Sequence, residues 1–151
     1  MKVFFDDGNI VNLERKDGHL YLYFRMIQTG GNSESFILDT GAFMTVLSRN
    51  TALSYGYDKL PKIVTIIKGL TGEEPADFVR IPNLKILNIT MINVPVLIPH
   101  SKRLKQNIVG LNVLEYFKYC IDTENDKMYI MLNPKPRHYH GILACEKVIV
   151  D

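Results

Sequence analysis

Residue types that favour β-strands are unusually frequent in this chain, and they fall into runs too short for long helices. Val, Ile, Thr, Tyr and Phe together supply 50 of the 151 residues, whereas Ala, the best helix former, occurs only 4 times. Residues 20–27 alternate between two faces with the period of a half-buried strand. Asp-Gly pairs at 7–8 and 17–18 are typical of hairpin turns. The sequence therefore predicts an all-β fold.

Most of the remaining strands are also expected to pair through short turns. Residues 62–68 and 76–81 are predicted to form a hairpin, and its tip, residues 69–75, is polar, rich in glycine and therefore expected to move. Further strands are predicted at 35–38, 84–89, 91–98, 119–122 and 127–132. The first of them is followed directly by Asp39, and the next two come after Pro82.

Two short helices are predicted between the strands. Ser48 can cap a helix over residues 49–55, and Gly56 can end it in the left-handed conformation. The apolar residues of segment 111–117 recur at helical spacing, which predicts the second helix.

Length and charge exclude several classes of protein. A chain of 151 residues suits one domain, which we assign to residues 1–151. The 18 Lys and Arg residues against 16 Asp and Glu leave a net charge of +2 without a basic block, so neither nucleic acid nor a membrane is an expected partner. No apolar run approaches the ~20 residues that span a bilayer, and the early acidic residues are unlike a signal peptide, so we expect a cytoplasmic protein. Cys120 and Cys145 are expected to be reduced thiols.

The strongest local signal is a carboxylate placed directly after a buried apolar strand, in the segment Phe36-Ile37-Leu38-Asp39-Thr40-Gly41-Ala42. Burial of a charged group costs free energy unless hydrogen bonds compensate it, and the N–H groups of a tight glycine turn can do so. By itself the tripeptide Asp-Thr-Gly fits a structural Asp satisfied by its own turn better than it fits a catalytic Asp.

Asp-Thr-Gly-Ala resembles the active-site motif of the retropepsin-like aspartic proteases, the family that includes the retroviral proteases. The resemblance continues in order through the glycine-containing hairpin at 68–72 and the element Ile108-Val109-Gly110, and it covers about residues 18–132. It implies a closed β-barrel-like single lobe with a flap hairpin and one or two short helices. Residues outside 18–132 are then terminal extensions of that core.

The chain carries one Asp-Thr-Gly motif, because Asp122-Thr123-Glu124 lacks the glycine. The family mechanism needs two carboxylates that face each other, so that one holds a proton while the other stays ionised. The resemblance therefore implies a twofold homodimer in which two copies of Asp39 activate a water molecule by general acid–base catalysis. It implies no covalent intermediate, no cofactor and no metal.

The resemblance assigns roles to further residues. Thr40 is expected to bond across the dimer, Gly41 to donate its N–H to the carboxylates, and Ala42 to complete the active-site loop. Val109 and Gly110 are expected beside the site, where the missing Cβ of Gly110 lets another backbone approach. The flap, which is expected to close over an extended peptide with apolar residues at the cleavage site, comprises Lys68, Gly69, Leu70, Thr71 and Gly72.

The chain departs from the family pattern at three places. Two-lobed relatives usually have Ser or Thr where this chain has Ala42, which predicts activity at mildly acidic to neutral pH. Leu111-Asn112 replaces the Arg-containing pair of the retroviral enzymes, so different dimer contacts are expected. The flap also lacks the dense glycine run of those enzymes.

Several alternatives stay open at this level. The chain could be a non-catalytic peptide-binding or dimerisation module of the same fold. The terminal segments Val3–Phe5 and Ile142–Val150 could enter a dimer sheet, as in the family, or could pack on their own subunit. A metal site formed by His138, His140 and Cys145 is disfavoured, because the spacing matches no zinc motif.

Overall fold

The computed structural model describes residues 9–26, 32–69, 72–134 and 144–150. Within these ranges most residues lie in strands and only a few in short helices, which confirms the all-β class. The strands are β1 (Ile10–Asn12), β2 (Glu14–Lys16), β3 (His19–Arg25), β4 (Ser33–Leu38), β5 (Lys62–Gly69), β6 (Gly72–Ile86), β7 (Ile89–Pro99), β8 (Asn107–Val109), β9 (Phe117–Asp122), β10 (Lys127–Leu132) and β11 (Lys147–Val150).

The described strands form two sheets. The smaller has the order β1-β10-β9, and the larger has the order β11-β7-β6-β3-β4-β8, with β2 paired to β3 and β5 paired to β6. Neighbouring strands are antiparallel except for β4 and β8, which are parallel. This parallel pair is the part of the fold that positions the candidate site.

Alternation along β3 places its apolar side chains in the core. Leu22, Phe24 and the following Met26 are buried, whereas Tyr23 and Arg25 are exposed. Phe24 packs edge-on against a phenylalanine of β4, with ring centroids 5.2 Å apart. The core continues through the inward faces of β6 and β7, so one hydrophobic cluster underlies the large sheet.

Both predicted helices are present, and each is short. Helix α1 spans Arg49–Ser54; the hydroxyl of Ser48 accepts a hydrogen bond from Thr51 N, and Gly56 follows at φ 72°. Helix α2 spans only Leu111–Leu114. Its predicted extent to residue 117 was wrong, because Phe117 already begins β9 and faces the core.

Several predicted strand boundaries were also wrong. Strand β5 pairs with β6 as far as Gly69 opposite Gly72, so the arms of the hairpin extend well into the predicted tip 69–75. Strand β6 continues through Pro82, and the turn between the predicted strands 84–89 and 91–98 comes at residues 87–88 rather than at residue 90. Asn93 lies opposite Pro82 on β7 and has φ 51°. The pairing of β6 and β7 is therefore irregular at this point, where Pro82 has no N–H to donate.

The end of the chain packs on its own subunit. Strand β11 pairs antiparallel with residues 89–92 of β7. The other candidate for a dimer sheet, Val3–Phe5, lies outside the described residues, as does Ile142. In the described part of the chain no helix is long and apolar enough to cross a membrane.

Candidate active site

Asp39 lies at the carboxyl end of β4, where the chain leaves the large sheet. Leu38 is opposite Val109 in the parallel pair of β4 and β8, and the N–H of Asp39 continues this ladder by donating to the Val109 carbonyl at 3.2 Å. The sheet therefore fixes the backbone of Asp39, whereas its side chain is only partly buried.

A tight turn around Gly41 orients the carboxylate. The Gly41 N–H donates to Asp39 Oδ1 at 2.9 Å, and the Ala42 N–H donates to the Asp39 carbonyl at 3.2 Å. A Cβ on Gly41 would lie 3.2 Å from the same Oδ1, so a side chain there would crowd the carboxylate. Thr40 and Gly41 are exposed. One carboxylate oxygen is thus held by the loop, on a surface that another molecule can reach.

At Gly110 the backbone passes very close to the segment that follows the active-site loop. A Cβ at this position would lie 2.6 Å from the carbonyl carbon and oxygen of Met44 and 2.9 Å from the Ala42 oxygen. These neighbours are backbone atoms and cannot rotate away. The N–H of Leu111 also donates to the Ala42 carbonyl at 2.9 Å, which ties the active-site loop to the start of α2.

The buried side-chain amide of Asn112 supports the active-site loop through hydrogen bonds. Its Oδ1 accepts hydrogen bonds from the N–H and the hydroxyl of Thr45 at 2.8 and 2.9 Å, and its Nδ2 donates to the Pro95 carbonyl at 2.9 Å. The Thr45 hydroxyl in turn accepts from the Gly110 N–H at 3.1 Å. Asn112 and Thr45 are 2% and 0% exposed, so these bonds are shielded from water. The loop is therefore supported by β7 and α2 together.

Sequence reasoning did not assign these supporting roles. A signal was available for Asn112, since it is a polar residue inside the apolar run 108–114 and a buried amide has to find partners. Nothing local identified those partners, because Thr45 lies 67 residues away.

The structure places the predicted site residues in two groups. Asp39, Thr40, Gly41 and Ala42 form one loop, and Val109 and Gly110 touch that loop through the contacts above. Lys68, Gly69 and Gly72 lie at the distal end of the β5–β6 hairpin, where Lys68 forms an exposed ion pair with Glu73 at 3.7 Å. Leu70 and Thr71 lie outside the described residues.

Among the residues that the structure describes, no cluster of three or more His, Cys, Asp or Glu side chains could hold a metal ion. His138 and His140 are not among the described residues. The chemistry that the described loop offers is that of a carboxylate, which can exchange a proton with a bound water molecule or with a second acid.

Comparisons with known proteins agree with this arrangement. The chain matches a family model described as aspartyl protease over residues 26–113, a range that includes the Asp39 loop, β8 and most of α2. A comparison with curated protein sequences gave no match.

Two solved structures share the fold. A retropepsin-like aspartic protease from Rickettsia conorii superposes with a TM-score of 0.62 at 22% identity, covering 81% of this chain and 98% of that chain. The EIAV protease complexed with the inhibitor HBY-793 superposes with a TM-score of 0.54 at 19% identity, covering 66% of this chain and 88% of that chain. Since the family model spans more than half of the sequence and both structures share its architecture, this chain belongs to the aspartyl protease family and has the retropepsin-like fold.

Proposed function

We propose that this protein is a homodimeric aspartic endopeptidase in which the two copies of Asp39 form the catalytic pair. The observation that carries the proposal is the geometry of the Asp39 loop. One carboxylate oxygen is held by the Gly41 N–H, while the adjacent residues Thr40 and Gly41 are open to another molecule. A second loop of the same kind, related by a twofold axis, would complete the pair.

Two carboxylates at short range cannot both ionise easily, and this supplies the acid and the base of the reaction. The ionised Asp39 removes a proton from water, and the protonated Asp39 of the partner subunit polarises the scissile carbonyl. Water adds to the carbonyl carbon while the protonated Asp39 gives its proton to the carbonyl oxygen, and a tetrahedral diol forms. The Asp39 that took a proton from water then passes it to the leaving nitrogen, and a hydroxyl of the diol returns a proton to the other Asp39. The C–N bond breaks, and the pair again shares one proton.

The proposed substrate is an extended peptide with apolar residues around the cleavage site. The β5–β6 hairpin supports this choice, because Ile63, Val64 and Ile66 on β5 are 69%, 61% and 52% exposed. An apolar peptide laid along the hairpin would remove such surface from water. We assign the flap to the tip of this hairpin, residues 68–72, and expect it to close over the bound peptide.

The test is cleavage of a mixed peptide library by the wild type and by Asp39→Asn at a series of protein concentrations. We expect Asp39→Asn to abolish cleavage and to keep the fold. Asp17→Asn is a matched control for the change from Asp to Asn, because Asp17 lies in a turn at φ 51°, a conformation that Asn also accepts. The wild type should show specific activity that rises steeply with concentration around the dimer dissociation constant.

Retention of cleavage by Asp39→Asn would refute the proposal. Absence of cleavage by the wild type at concentrations where it is dimeric, together with binding of library peptides, would favour a non-catalytic peptide-binding module instead.

A further inference from the structure

We propose that this protein selects peptides with an acidic side chain near the cleavage site, and that Arg103 is the residue that recognises the acid. The inference rests on the proposed function and deepens it, because it adds a charged position to the apolar peptide described above. The observation that carries it is a cavity between the end of the β5–β6 hairpin and the loop that joins β7 to β8, residues 100–106.

The cavity has a volume of about 270 Å³ and lies beside the distal end of the hairpin. Both strands of the hairpin form one side and the loop 100–106 forms the other, with a lining that includes Ile67, Gly69, Gly72, Arg103 and Leu104. Pockets that hold a whole small molecule usually measure roughly 300–1,000 Å³. A cavity below that range suits a single side chain of a bound peptide.

The loop 100–106 connects the hairpin with the strand that supports the catalytic carboxylate. At its start the Ser101 hydroxyl donates to Glu74 Oε2 at 2.6 Å, which ties the loop to the hairpin. At its end the chain enters β8, where the Val109 carbonyl accepts the N–H of Asp39. The cavity is therefore attached both to the flap hairpin and to the active-site loop, between which we place the bound peptide.

The loop carries three positive charges, on Lys102, Arg103 and Lys105, and all three residues are exposed. Within the described ranges of the chain none of the three forms an ion pair. Arg103 is the member of this group that lines the cavity. Its guanidinium presents a planar set of N–H donors, which fits a carboxylate through two parallel hydrogen bonds.

Two carboxylates of the hairpin also line the cavity, and both already have partners. Glu73 forms an ion pair with Lys68 at 3.7 Å, and Glu74 accepts the hydrogen bond from Ser101. With Lys68 included, the hairpin end and the loop 100–106 carry four cationic side chains against these two carboxylates. The charge around the cavity is therefore positive on balance, which favours an acidic side chain of the peptide over a basic one.

Apolar residues beside Arg103 define the rest of the fit. Ile67 and Leu104 belong to the same lining and are partly buried. They can contact the methylene groups of a side chain whose carboxylate reaches Arg103, and glutamate offers this combination. In the proposed homodimer the twofold axis generates a second cavity, so an extended peptide can place an acidic residue on each side of the scissile bond.

Binding of peptides to Asp39→Asn tests the charge preference without depending on catalysis. A peptide selected from the mixed library for binding is prepared in three versions, with Glu, Gln or Lys at each position in turn. Fluorescence anisotropy at pH 7 gives the dissociation constant of each version. At one position or more we expect the Glu version to bind about fivefold more tightly than the Gln version, and the Lys version to bind more weakly. The difference should shrink in high salt, because Arg103 is exposed.

Charge reversal identifies the residue responsible. Arg103→Glu should invert the preference, so that the Lys version binds more tightly than the Glu version, and should leave the binding of the Gln version unchanged. Arg25→Glu makes the same charge change at an exposed residue of β3 that does not line the cavity, and it should keep the preference for Glu. Equal thermal melting of the two variants shows that the fold is retained.

Cleavage assays separate recognition from catalysis. For the Glu version of the peptide, Arg103→Glu in the otherwise wild-type protein should raise KM about fivefold or more and leave kcat unchanged, because the lost contact is made equally in the bound substrate and in the transition state.

Two results would overturn the role of Arg103: equal binding of the Glu, Gln and Lys versions at every position, or a preference for Glu that Arg103→Glu retains. Failure of the proposed function looks different. It appears as cleavage that survives Asp39→Asn, or as wild-type protein that binds these peptides with the expected charge preference and does not cleave them.

Discussion

Removing the charge of Asp77 should destabilise the base of the β5–β6 hairpin far more than the loss of a surface ion pair would. Asp77 is 3% exposed and lies on β6 opposite Val64. His100 Nε2 is 2.7 Å from its Oδ1, while Arg49 donates to its Oδ2 at 3.1 Å and Lys62 Nζ lies 3.8 Å from the same oxygen. The carboxylate thus joins α1 and the bases of β5, β6 and β7.

The pKa of Asp77 reflects this environment. Burial alone would raise the pKa of the carboxyl, but the hydrogen bonds from His100 and Arg49 and the nearby positive charges outweigh burial and hold the pKa below its usual value. The folded state therefore favours the ionised form.

The expected loss of unfolding free energy follows from the two hydrogen bonds that Asp77→Asn would weaken. A hydrogen bond to a charged group contributes about 1.5–3 kcal/mol. The partner side chains of Arg49 and His100 are 20% and 39% exposed, and Asn retains one acceptor, so we expect roughly half of the summed value, about 2 kcal/mol. For a chain of this size that corresponds to a fall in Tm of about 4–8 °C.

Urea unfolding at pH 7, 5, 4 and 3.5 provides the assay. Because the folded pKa is lowered, the stabilisation by Asp77 is complete above the unfolded pKa of ~3.9 and is lost as the pH falls through the folded pKa. The difference between wild type and Asp77→Asn should therefore shrink as the pH falls below about 5. Asp126→Asn is the control: its ion pair with Arg15 is exposed and should contribute at most about 1 kcal/mol. A loss below about 0.5 kcal/mol at pH 7, or a difference that does not change with pH, would refute the reasoning.

Three further substitutions test the framework of the active-site loop and the acidity of its carboxylate. Gly110→Ala should destabilise the fold by about 1–3 kcal/mol in urea unfolding, because its Cβ would meet the Met44 backbone at 2.6 Å; equal stability would show that the segments separate freely. Asn112→Ala should cost about 2–4 kcal/mol, since it leaves the N–H of Thr45 and a carbonyl of β7 buried without their partner; a loss below about 1 kcal/mol would contradict the bracing role. Ala42→Ser should extend cleavage to lower pH by offering the carboxylates another donor, and an unchanged acid limb of the pH–rate profile would argue against that contact.

Local chemistry made several elements predictable from the sequence. The Asp17-Gly18 turn was correctly identified because both residues must adopt positive φ, and they have φ 51° and 77°. The cap at Ser48 and the stop at Gly56 bound α1 as expected. In each case the determining contact lies within a few residues along the chain, so the local sequence is sufficient.

The wrong strand boundaries come from places where polar residues or a proline suggested a loop although the backbone is extended. Glu73, Glu74 and Pro75 suggested a loop, yet they pair with β5, because a projecting hairpin is solvated and has little need for an apolar face. Pro82 suggested a break, yet β6 runs through it. The interactions of Asp77 were invisible for another reason: its closest partners lie 28 and 23 residues away, on α1 and at the end of β7.

The framework around Asp39 separates the support of the active-site loop from the assembly of the dimer. The hydrogen bonds of Gly41, Asn112 and Gly110 join parts of one subunit, so the loop has supports that do not depend on a partner. On the proposed function, dimerisation then adds a second carboxylate without having to order the first. Substitutions in this framework should therefore lower kcat and stability together at any protein concentration. Substitutions that weaken the contact between the two copies should instead move the concentration at which activity appears and leave the kcat of the saturated dimer unchanged.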